Sequence, residues 1–374
     1  MRPSSLARSR SATSKAQPLI VQPRGVALST VTTVLGPVPA EEMGITLVHE
    51  HIFADLRSAL NDPLYCPPGR ASTAGQAKMR LDNLGILHRE PFYLEDNLVL
   101  DDISTSQSEI MSFLAAGGNT IVELTTPDKG RSPSKLVELA RRTGVNIVMG
   151  CGYYRHTSHP SGLENRPAAQ ITEEIIQDVT SGVGYGGPQA GIIGEIGASA
   201  PLTRTEQKVL AAAAEAQRET NVALSVHLHP WGAREPVGYA ILRILQQSGV
   251  DLSRVILSHV DEHLDLRYHH DLLQTGVNIA YDNFGKEFHR DTSHIQYPTD
   301  LQRLEALGEL VGRGYINQLL MSHDVAFKMD LHAYGRWGYD HILTHIVPMA
   351  KHLGISQGEI ETILIENPKR ILAA

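Results

Sequence analysis

Two histidines within Thr46–Asp55, TLVHEHIFAD, have the spacing of a metal-binding pair. His49 and His51 are separated by one residue, and a β-strand directs residues two apart to the same face. Two imidazoles side by side can bind one cation, and neutral imidazole is the commonest metal ligand in proteins. With 18 histidines in the chain, a single His-x-His pair is also an ordinary coincidence. The pair therefore needs support from other ligand-type residues.

Four further residues of ligand type lie at, near or just after the ends of later strand-like segments. They are Glu195, His227, His259 and Asp324. In a barrel of parallel strands the carboxyl ends meet at one rim, so all six side chains could converge there. Four imidazoles and two carboxylates suit two divalent cations about 3.5–4 Å apart that share one carboxylate. The alternative, that strand-end histidines merely bond loop carbonyls, accounts for any one of them but poorly for six positions together.

Eight apolar, β-type runs provide the framework for these residues. One lies in Thr46–Asp55, and the others are Thr120–Leu124, Val145–Gly150, Gly191–Ile196, Val222–His227, Val255–His259, Val277–Asp282 and Gln318–Ser322. Helical periodicity lies between most of them, at Ser106–Ala116, Ser134–Arg142, Thr203–Thr220, Pro236–Ser248 and Asp300–Gly312. Buried parallel strands with helical crossovers predict an α/β protein with a (β/α)8 TIM barrel. A doubly wound open sheet is the alternative.

The ends of the chain and one long connection depart from this alternation. Residues 1–25 contain five basic residues and no acid, which fits a disordered tail on a cytoplasmic protein or, alternatively, a mitochondrial transit peptide. Residues 26–374 then form a single barrel, in which Val26–Leu35 is β-branched and suits a hairpin. The segment from about 60 to 102, which includes Cys66, is interpreted as an insertion after the first strand.

Composition limits the possible partners. The formal net charge of -8 opposes a nucleic-acid-binding surface, and no apolar run approaches the roughly 20 residues needed to cross a bilayer. The two cysteines, Cys66 and Cys151, are too few for a disulfide framework. We therefore expect chemistry on a small-molecule substrate.

Several motifs resemble those of the phosphotriesterase family of the amidohydrolase superfamily, and most closely its phosphotriesterase-related branch. The resemblance is carried by TVLGPV (33–38), LVHEH (47–51), AGIIGEIGAS (190–199), LSHVD (257–261), SHD (322–324), GYDHILTHIVP (338–348) and IENPKRIL (365–372). These segments occur in order over nearly the whole chain, so the resemblance is specific. It implies a TIM barrel with a binuclear metal site at the carboxyl ends of the strands.

The resemblance also implies roles for the six ligands: His49, His51 and Asp324 hold the more buried cation, His227 and His259 hold the more exposed one, and Glu195 bridges the two. Many relatives use a carbamylated lysine as the bridge, whereas this chain has no lysine on its fourth strand. A glutamate already supplies two oxygens, so metal loading is predicted not to need bicarbonate. The alternative is a structural Glu195 paired with an arginine. Zinc suits these ligands, and manganese, cobalt or iron would also fit.

The activity implied is that of a divalent-metal-dependent hydrolase in which a metal-bridging hydroxide attacks the substrate. Asp324 is the implied catalytic residue, which takes the proton of that water and passes it to the leaving group. Relatives cleave phosphotriesters, lactones and amides of N-acyl amino acids. We predict cleavage of a carboxylic amide or ester of the N-acyl amino acid or lactone type. A phosphotriesterase is the alternative, and a catalytically silent ligand-binding barrel is the alternative of another class.

Three residues are candidate substrate contacts. Tyr153 and Tyr154 follow the third strand, where relatives contact their substrates, and a packing or surface role is the alternative. Arg336 lies in the glycine-rich loop AYGRWGYD after the eighth strand, where an arginine could hold a carboxylate or sulfonate through two parallel hydrogen bonds. Relatives are commonly homodimers, so a homodimer is possible here as well.

Overall fold

The computed structural model describes residues 29–62, 77–184, 186–229 and 236–373. Its centre is a sheet of eight parallel strands, one in each predicted run. The strands are β1 (Thr46–Glu50), β2 (Thr120–Glu123), β3 (Asn146–Cys151), β4 (Ile192–Gly197), β5 (Leu224–His227), β6 (Val255–Ser258), β7 (Asn278–Tyr281) and β8 (Leu319–Met321). Each strand is short and almost wholly buried, as the continuous apolar runs predict.

The sheet runs in chain order from β1 to β8, and its two edges meet. The His51 amide donates to the Val325 carbonyl at 3.0 Å, and the Asp324 amide donates to the His49 carbonyl at 3.1 Å. These bonds join the strand that carries the His-x-His pair to the segment that follows the last strand. The predicted (β/α)8 barrel is therefore confirmed, and the open doubly wound sheet is not observed.

Helices cross between successive strands and cover the outside of the barrel. They are α1 (Ile103–Ala115), α2 (Pro133–Thr143), α3 (Ala168–Thr180), α4 (Arg204–Thr220), α5 (Val237–Ser248), α6 (Leu266–Leu273) and α7 (Asp300–Gly312). A capping box opens α4, where the Thr203 hydroxyl accepts from the Glu206 amide. Helices α3 and α6 were not among the predicted segments.

The barrel interior is closed at the amino-terminal end of the strands. One side chain at each strand points inward: Val48, Val122, Val148, Ile192, Ala223, Ile256, Ala280 and Leu320. They pack with Val31 of an antiparallel hairpin (Thr30–Thr33 with Gly36–Pro39) and with Ile371 of the last helix (Asn367–Leu372). The hairpin is the one suggested by the sequence. Because this end is filled with apolar side chains, a ligand can enter only at the opposite rim.

Further helical segments lie near the carboxyl terminus. They are the π-helix Ile342–Ile346, the α-helices Val347–His352 and Gln357–Glu361, and the π-helix Thr362–Glu366, which leads into Asn367–Leu372. No helix among the described residues is long and apolar enough to cross a bilayer.

Connections above the carboxyl ends of the strands form a third apolar cluster. A short helix (Leu84–Leu87) and the paired strands Ala54–Asp55 and Val99–Leu100 lie there, beside the hairpin His289–Arg290 with Ile295–Gln296. Leu87, Leu94, Leu98, Phe288, Tyr297, Phe327 and Met329 pack together and roof the rim. The interpretation of 60–102 as one insertion stays a prediction, since residues 63–76, with Cys66, lie outside the described residues, as does the tail 1–25.

Candidate metal centre and active site

The carboxyl ends of β4, β5 and β6 bring three of the predicted ligands into contact. Glu195 Oε1 lies 2.8 Å from His227 Nδ1 and 2.8 Å from His259 Nε2. All three side chains are buried. Among the described residues no arginine lies within ion-pair distance of Glu195, so its partners are imidazoles. The geometry offers no support for the alternative of a structural glutamate–arginine pair.

Glycine at position 194 lets Glu195 point into the barrel. The pairing of β4 with β5 shifts register between Ile193 and Ile196, and Gly194 has a φ of 132°. A Cβ at Gly194 would lie 2.4 Å from the carbonyl oxygen of Ser225, so a side chain cannot be accommodated there. Strict alternation after the outward-facing Ile193, the neighbour of Gly194, would not bring Glu195 inside. The register shift lets Glu195 face the barrel interior, where it meets His227.

The other predicted ligands come from β1 and the turn after β8. His49 Nε2 lies 3.5 Å from Glu195 and 3.6 Å from Asp324, and His51 Nε2 lies 3.2 Å from Asp324. The donor atoms of His49, Glu195 and His259 all lie within 4.8 Å of one another, as do those of His49, His51 and Asp324. His49 belongs to both groups and lies between the two carboxylates. The structure thus gathers all six predicted residues at one place.

The residues present fit a metal centre. His49 Nδ1 lies 2.9 Å from Asp282 and 3.2 Å from the Ser258 hydroxyl, whereas the buried Nε2 of the same ring has no hydrogen-bond partner among the described residues. A buried polar atom without a partner is costly, and a cation would satisfy it. Imidazole nitrogens and carboxylate oxygens are also a donor set that divalent zinc, manganese, cobalt and iron accept.

His51 is oriented by the end of β2. Its Nδ1 lies 2.9 Å from the Thr125 hydroxyl, and that hydroxyl donates to the Glu123 carboxylate. Because Thr125 gives its proton to Glu123, its oxygen accepts from His51 Nδ1–H, which leaves His51 Nε2 as the unprotonated nitrogen facing Asp324.

Asp282, at the end of β7, contacts two of the histidines at once. Its two oxygens lie 2.9 Å from His49 Nδ1 and 3.0 Å from His259 Nδ1. The carboxylate is wholly buried, yet the neighbouring imidazoles hold the pKa of Asp282 well below its usual range despite that burial. One carboxylate therefore sets the ring orientation of histidines on both sides of the centre. Sequence reasoning located this residue at a strand end but did not assign it this role.

Changing Asp282 to asparagine is expected to lower kcat/KM by about 100-fold, because an outer partner of metal-bound histidines is worth about 10- to 100-fold and this one serves two of them. An amide cannot accept from both imidazole N–H groups. The variant should also retain less metal after dialysis, as measured by mass spectrometry. Asp82→Asn, at an exposed position, is the matched control. A variant with unchanged metal content and an activity within about threefold of wild type would contradict this role.

Glu50, between His49 and His51, is hydrogen-bonded to the turn that carries Asp324. Its carboxylate accepts from the Ser322 hydroxyl at 2.8 Å and from the amides of His323 and Val325 at 2.9 and 2.8 Å. Asp324 lies between the two amides that donate to Glu50 and has a left-handed φ of 51°, which is uncommon for a residue with a Cβ. Glu50 therefore closes the barrel and holds the backbone of a ligand in place.

Lys286 is the ammonium partner of Asp324. Its Nζ donates to Asp324 Oδ2, and the lysine is buried. Burial alone would raise the pKa of Asp324, but the Lys286 ammonium and the nearby histidines hold it far below its usual range. For Glu195, burial is likewise outweighed by His227 and His49, so its pKa is also lowered. Both carboxylates are therefore ionised at neutral pH, as metal ligands must be.

A cavity of about 760 Å³, including its mouth, opens directly onto this cluster. His51, Glu195, His227, His259 and Asp324 form its floor, and Leu56, Phe92, Phe288, Tyr297 and Phe327 form apolar walls. Three cationic side chains, those of Lys129, Lys286 and Arg290, also line it, together with Glu262. A largely apolar cavity with a few convergent polar groups is the usual form of a small-molecule site.

The candidate substrate contacts fall in different places. Tyr154 lines the cavity, and its hydroxyl lies 3.3 Å from both ring nitrogens of His227. The Tyr153 hydroxyl instead donates to Glu174 at 2.7 Å and accepts from Arg166. Tyr153 therefore does not line the cavity.

Arg336 is also outside the cavity lining. Its guanidinium donates to the Gly285 carbonyl and lies 3.1 Å from His88 Nδ1. It lies beside a separate, small pocket that includes Trp337 and Phe284. The geometry joins Arg336 to the loops around the site and does not place it against a substrate in the main cavity.

The fold and the site together define a (β/α)8-barrel hydrolase with a histidine–carboxylate centre at the carboxyl ends of its strands. The sequence model of the Phosphotriesterase family matches residues 29–372 of this chain. This chain belongs to the phosphotriesterase family, which confirms the resemblance seen in its motifs.

Individual relatives match over most of their length. An N-acetyltaurine hydrolase of Xenopus tropicalis is 38% identical over 347 residues, covering 91% of this chain and 97% of that protein. A crystal structure of a resiniferatoxin-binding protein from Rhodobacter sphaeroides has a TM-score of 0.86 and 34% identity, with 92% and 94% covered. The phosphotriesterase homology protein of Escherichia coli, complexed with phosphate in its active site, has a TM-score of 0.73 and 28% identity, with 88% and 99% covered. The prediction that the chain is a metal-dependent hydrolase is confirmed.

Proposed function

We propose that two divalent cations, zinc in the first instance, bind at the floor of the cavity. His49, His51 and Asp324 would hold one, His227 and His259 the other, and Glu195 would bridge them. The observation that carries this proposal is the convergence of these side chains, with His49 Nε2 buried and otherwise without a partner. When bound, such a pair lowers the pKa of a water molecule towards neutrality and polarises the carbonyl of a substrate.

The protein groups then guide the reaction. Asp324 is ionised, and its second oxygen is held by Lys286, so it is positioned to accept the proton of the attacking water. It delivers that proton to the leaving nitrogen as the carbon–nitrogen bond breaks, which yields a carboxylic acid and an amine. The Tyr154 hydroxyl faces the same cavity and offers a donor to the substrate.

The substrate we propose is a small N-acyl compound whose amine half carries a carboxylate or sulfonate. The relatives include the N-acetyltaurine hydrolase of Xenopus tropicalis, whose substrate is an amide with a sulfonate. The charges that line the cavity favour the same class. Glu195 and Asp324 would be committed to the cations, and burial raises the pKa of Glu262 to about 7, while Lys129, Lys286 and Arg290 are cationic. An anionic substrate would therefore be attracted.

Metal reconstitution followed by a substrate panel tests the proposal. The dialysed protein should regain activity with about two zinc ions per chain, and added bicarbonate should not increase it, because the bridge is a glutamate. N-acetyltaurine and N-acetylglycine should be cleaved faster than a δ-lactone or a paraoxon-like phosphotriester. Absence of metal binding would contradict the centre. Preferred cleavage of the lactone or the phosphotriester would contradict the substrate class and leave the centre standing.

A further inference from the structure

Lys129 lies in the turn after β2 and is a buried cation of the cavity wall. Its side chain is only 6% exposed. The contacts of its ammonium are the Ser58 hydroxyl at 3.4 Å and the face of the Tyr154 ring, whose centre lies 4.5 Å away. Among the described residues no carboxylate lies within 4.0 Å of this ammonium.

The other lysine of the cavity is in a different situation. Lys286 is bonded to Asp324, which completes its charge pairing. Arg290, in the hairpin that follows β7, lies with its guanidinium 5.4 Å from the centre of the Phe92 ring. An ammonium buried without a carboxylate is unfavourable, and here burial lowers the pKa of Lys129 to about 8. That cost is offset when an anion enters the cavity beside it.

The position of Lys129 relative to the candidate metal centre is set by one aromatic ring. The ammonium lies over the ring of Tyr154, and the hydroxyl at the far end of that ring lies 3.3 Å from His227. Lys129, Tyr154 and the ligands Glu195, His227 and Asp324 line the same cavity. A substrate whose amide carbonyl is at the centre therefore shares that cavity with the Lys129 ammonium.

We propose that Lys129 binds the carboxylate or sulfonate of the substrate's amine half and thereby selects N-acyl amino acids and N-acyl aminosulfonates over neutral amides. This inference rests on the proposed function and deepens it, because it assigns the group that distinguishes substrates to one residue outside the ligand set. Lys129 is a specificity-determining residue in this scheme. The chemistry at the carbonyl does not depend on it.

Binding of ketone isosteres, in which CH2 replaces the amide NH, tests the inference without any turnover. Calorimetry on the zinc-loaded protein compares 4-oxopentane-1-sulfonate with 5-(methylsulfonyl)pentan-2-one, which has a neutral sulfone of similar shape. Lys129→Met should weaken sulfonate binding by about 100-fold, because a buried charged partner is lost, and should change sulfone binding by less than about threefold. Lys129→Arg should retain most of the preference for the sulfonate. Lys351→Met, at an exposed lysine, is the matched control and should change neither.

The outcomes separate this inference from the proposed function. Equal losses for both ligands in Lys129→Met, an unchanged affinity for the sulfonate, or no preference for the sulfonate in the wild-type protein would each overturn it. Unchanged zinc content and unfolding temperature in the Met and Arg variants establish that the site is intact. If the wild-type protein binds the sulfonate through Lys129 but does not hydrolyse N-acetyltaurine, the proposed function fails and this assignment stands.

Discussion

The glutamine variant of Glu195 is expected to purify with less than half of the wild-type metal content and to lose about 1,000-fold or more in kcat/KM. Glu195 Oε1 is 2.8 Å from both His227 and His259 and faces His49. The cations that Glu195 would hold supply several kcal/mol of transition-state charge stabilisation, and each 1.4 kcal/mol corresponds to tenfold. Glutamine keeps the shape of the side chain but offers one neutral oxygen and an NH2 group that cannot bind a cation.

Elemental analysis and assays on N-acetyltaurine, after equilibration with excess zinc, measure this effect. Circular dichroism should show an unchanged fold, because glutamine keeps the size and shape of the side chain. Glu366→Gln, near the carboxyl terminus and far along the chain from the rim, is a suitable control. If the Glu195→Gln enzyme bound a full complement of zinc and turned over at the wild-type rate, Glu195 would have no bridging role.

The second large effect is expected for Asp324→Asn, which should lower kcat by about 1,000-fold at saturating metal, since a positioned proton acceptor is worth about 10²- to 10⁴-fold. Asparagine can still place an oxygen towards His51, but it cannot take a proton from the attacking water. It also leaves the Lys286 ammonium without its carboxylate. The loss should therefore fall mainly on kcat, with a smaller change in KM.

Steady-state kinetics across pH 5–9, with the metal content determined for each preparation, test this assignment. The wild-type protein should lose activity at the acidic end only as histidine ligands become protonated, because the pKa of Asp324 is held far below its usual range. The asparagine variant should have low activity at every pH in this range. Turnover close to that of the wild type in the fully metal-loaded variant would transfer the proton-accepting role to another group.

Much of the architecture follows from local patterns along the chain. The eight buried runs are recognisable because parallel strands covered by helices are apolar on both faces. The six ligand positions are recognisable because imidazoles and carboxylates are rare at strand ends unless they have a partner there. Helices α4 and α7 are well delimited by their Thr caps. Helix α6 also has a cap, Asp265, but its 8 residues are few for a helical period to be recognised.

The features that the patterns could not show depend on contacts between distant segments. Strict alternation along β1 would turn His49 to the same face as Leu47, which packs against the helices. The register of β1 with β2 shifts between Leu47 and Glu50, and this shift allows His49 to reach Glu195 inside the barrel. His259 similarly has a left-handed φ of 64°. Such departures arise from packing around the whole barrel, and no local signal marks them.

Partner residues were equally hidden. Asp282 and Lys286 each follow β7, and their types alone fit a solvated loop as well as a buried network. Only the closed barrel brings Asp282 within 3.0 Å of two histidines and bonds Lys286 to Asp324. Lys129 lacks any sequence motif of its own, because what distinguishes it is its burial in the cavity wall with no carboxylate within 4.0 Å of its ammonium among the described residues.

The hydrogen bonds from residues 322–325 to Glu50 join the first and last strands of the barrel, and they also hold the segment that carries Asp324. Closure of the barrel and assembly of the active site therefore depend on the same contacts. Strands β1 and β8 are the most distant of the eight along the chain, so their junction is the contact of greatest sequence separation in the sheet and carries the largest loop-closure entropy. Any opening of that junction separates His49 and His51 from Asp324. Catalytic activity should therefore be lost at a lower temperature than that of global unfolding. Bound cations should raise both temperatures, because they would bind residues on both sides of this junction.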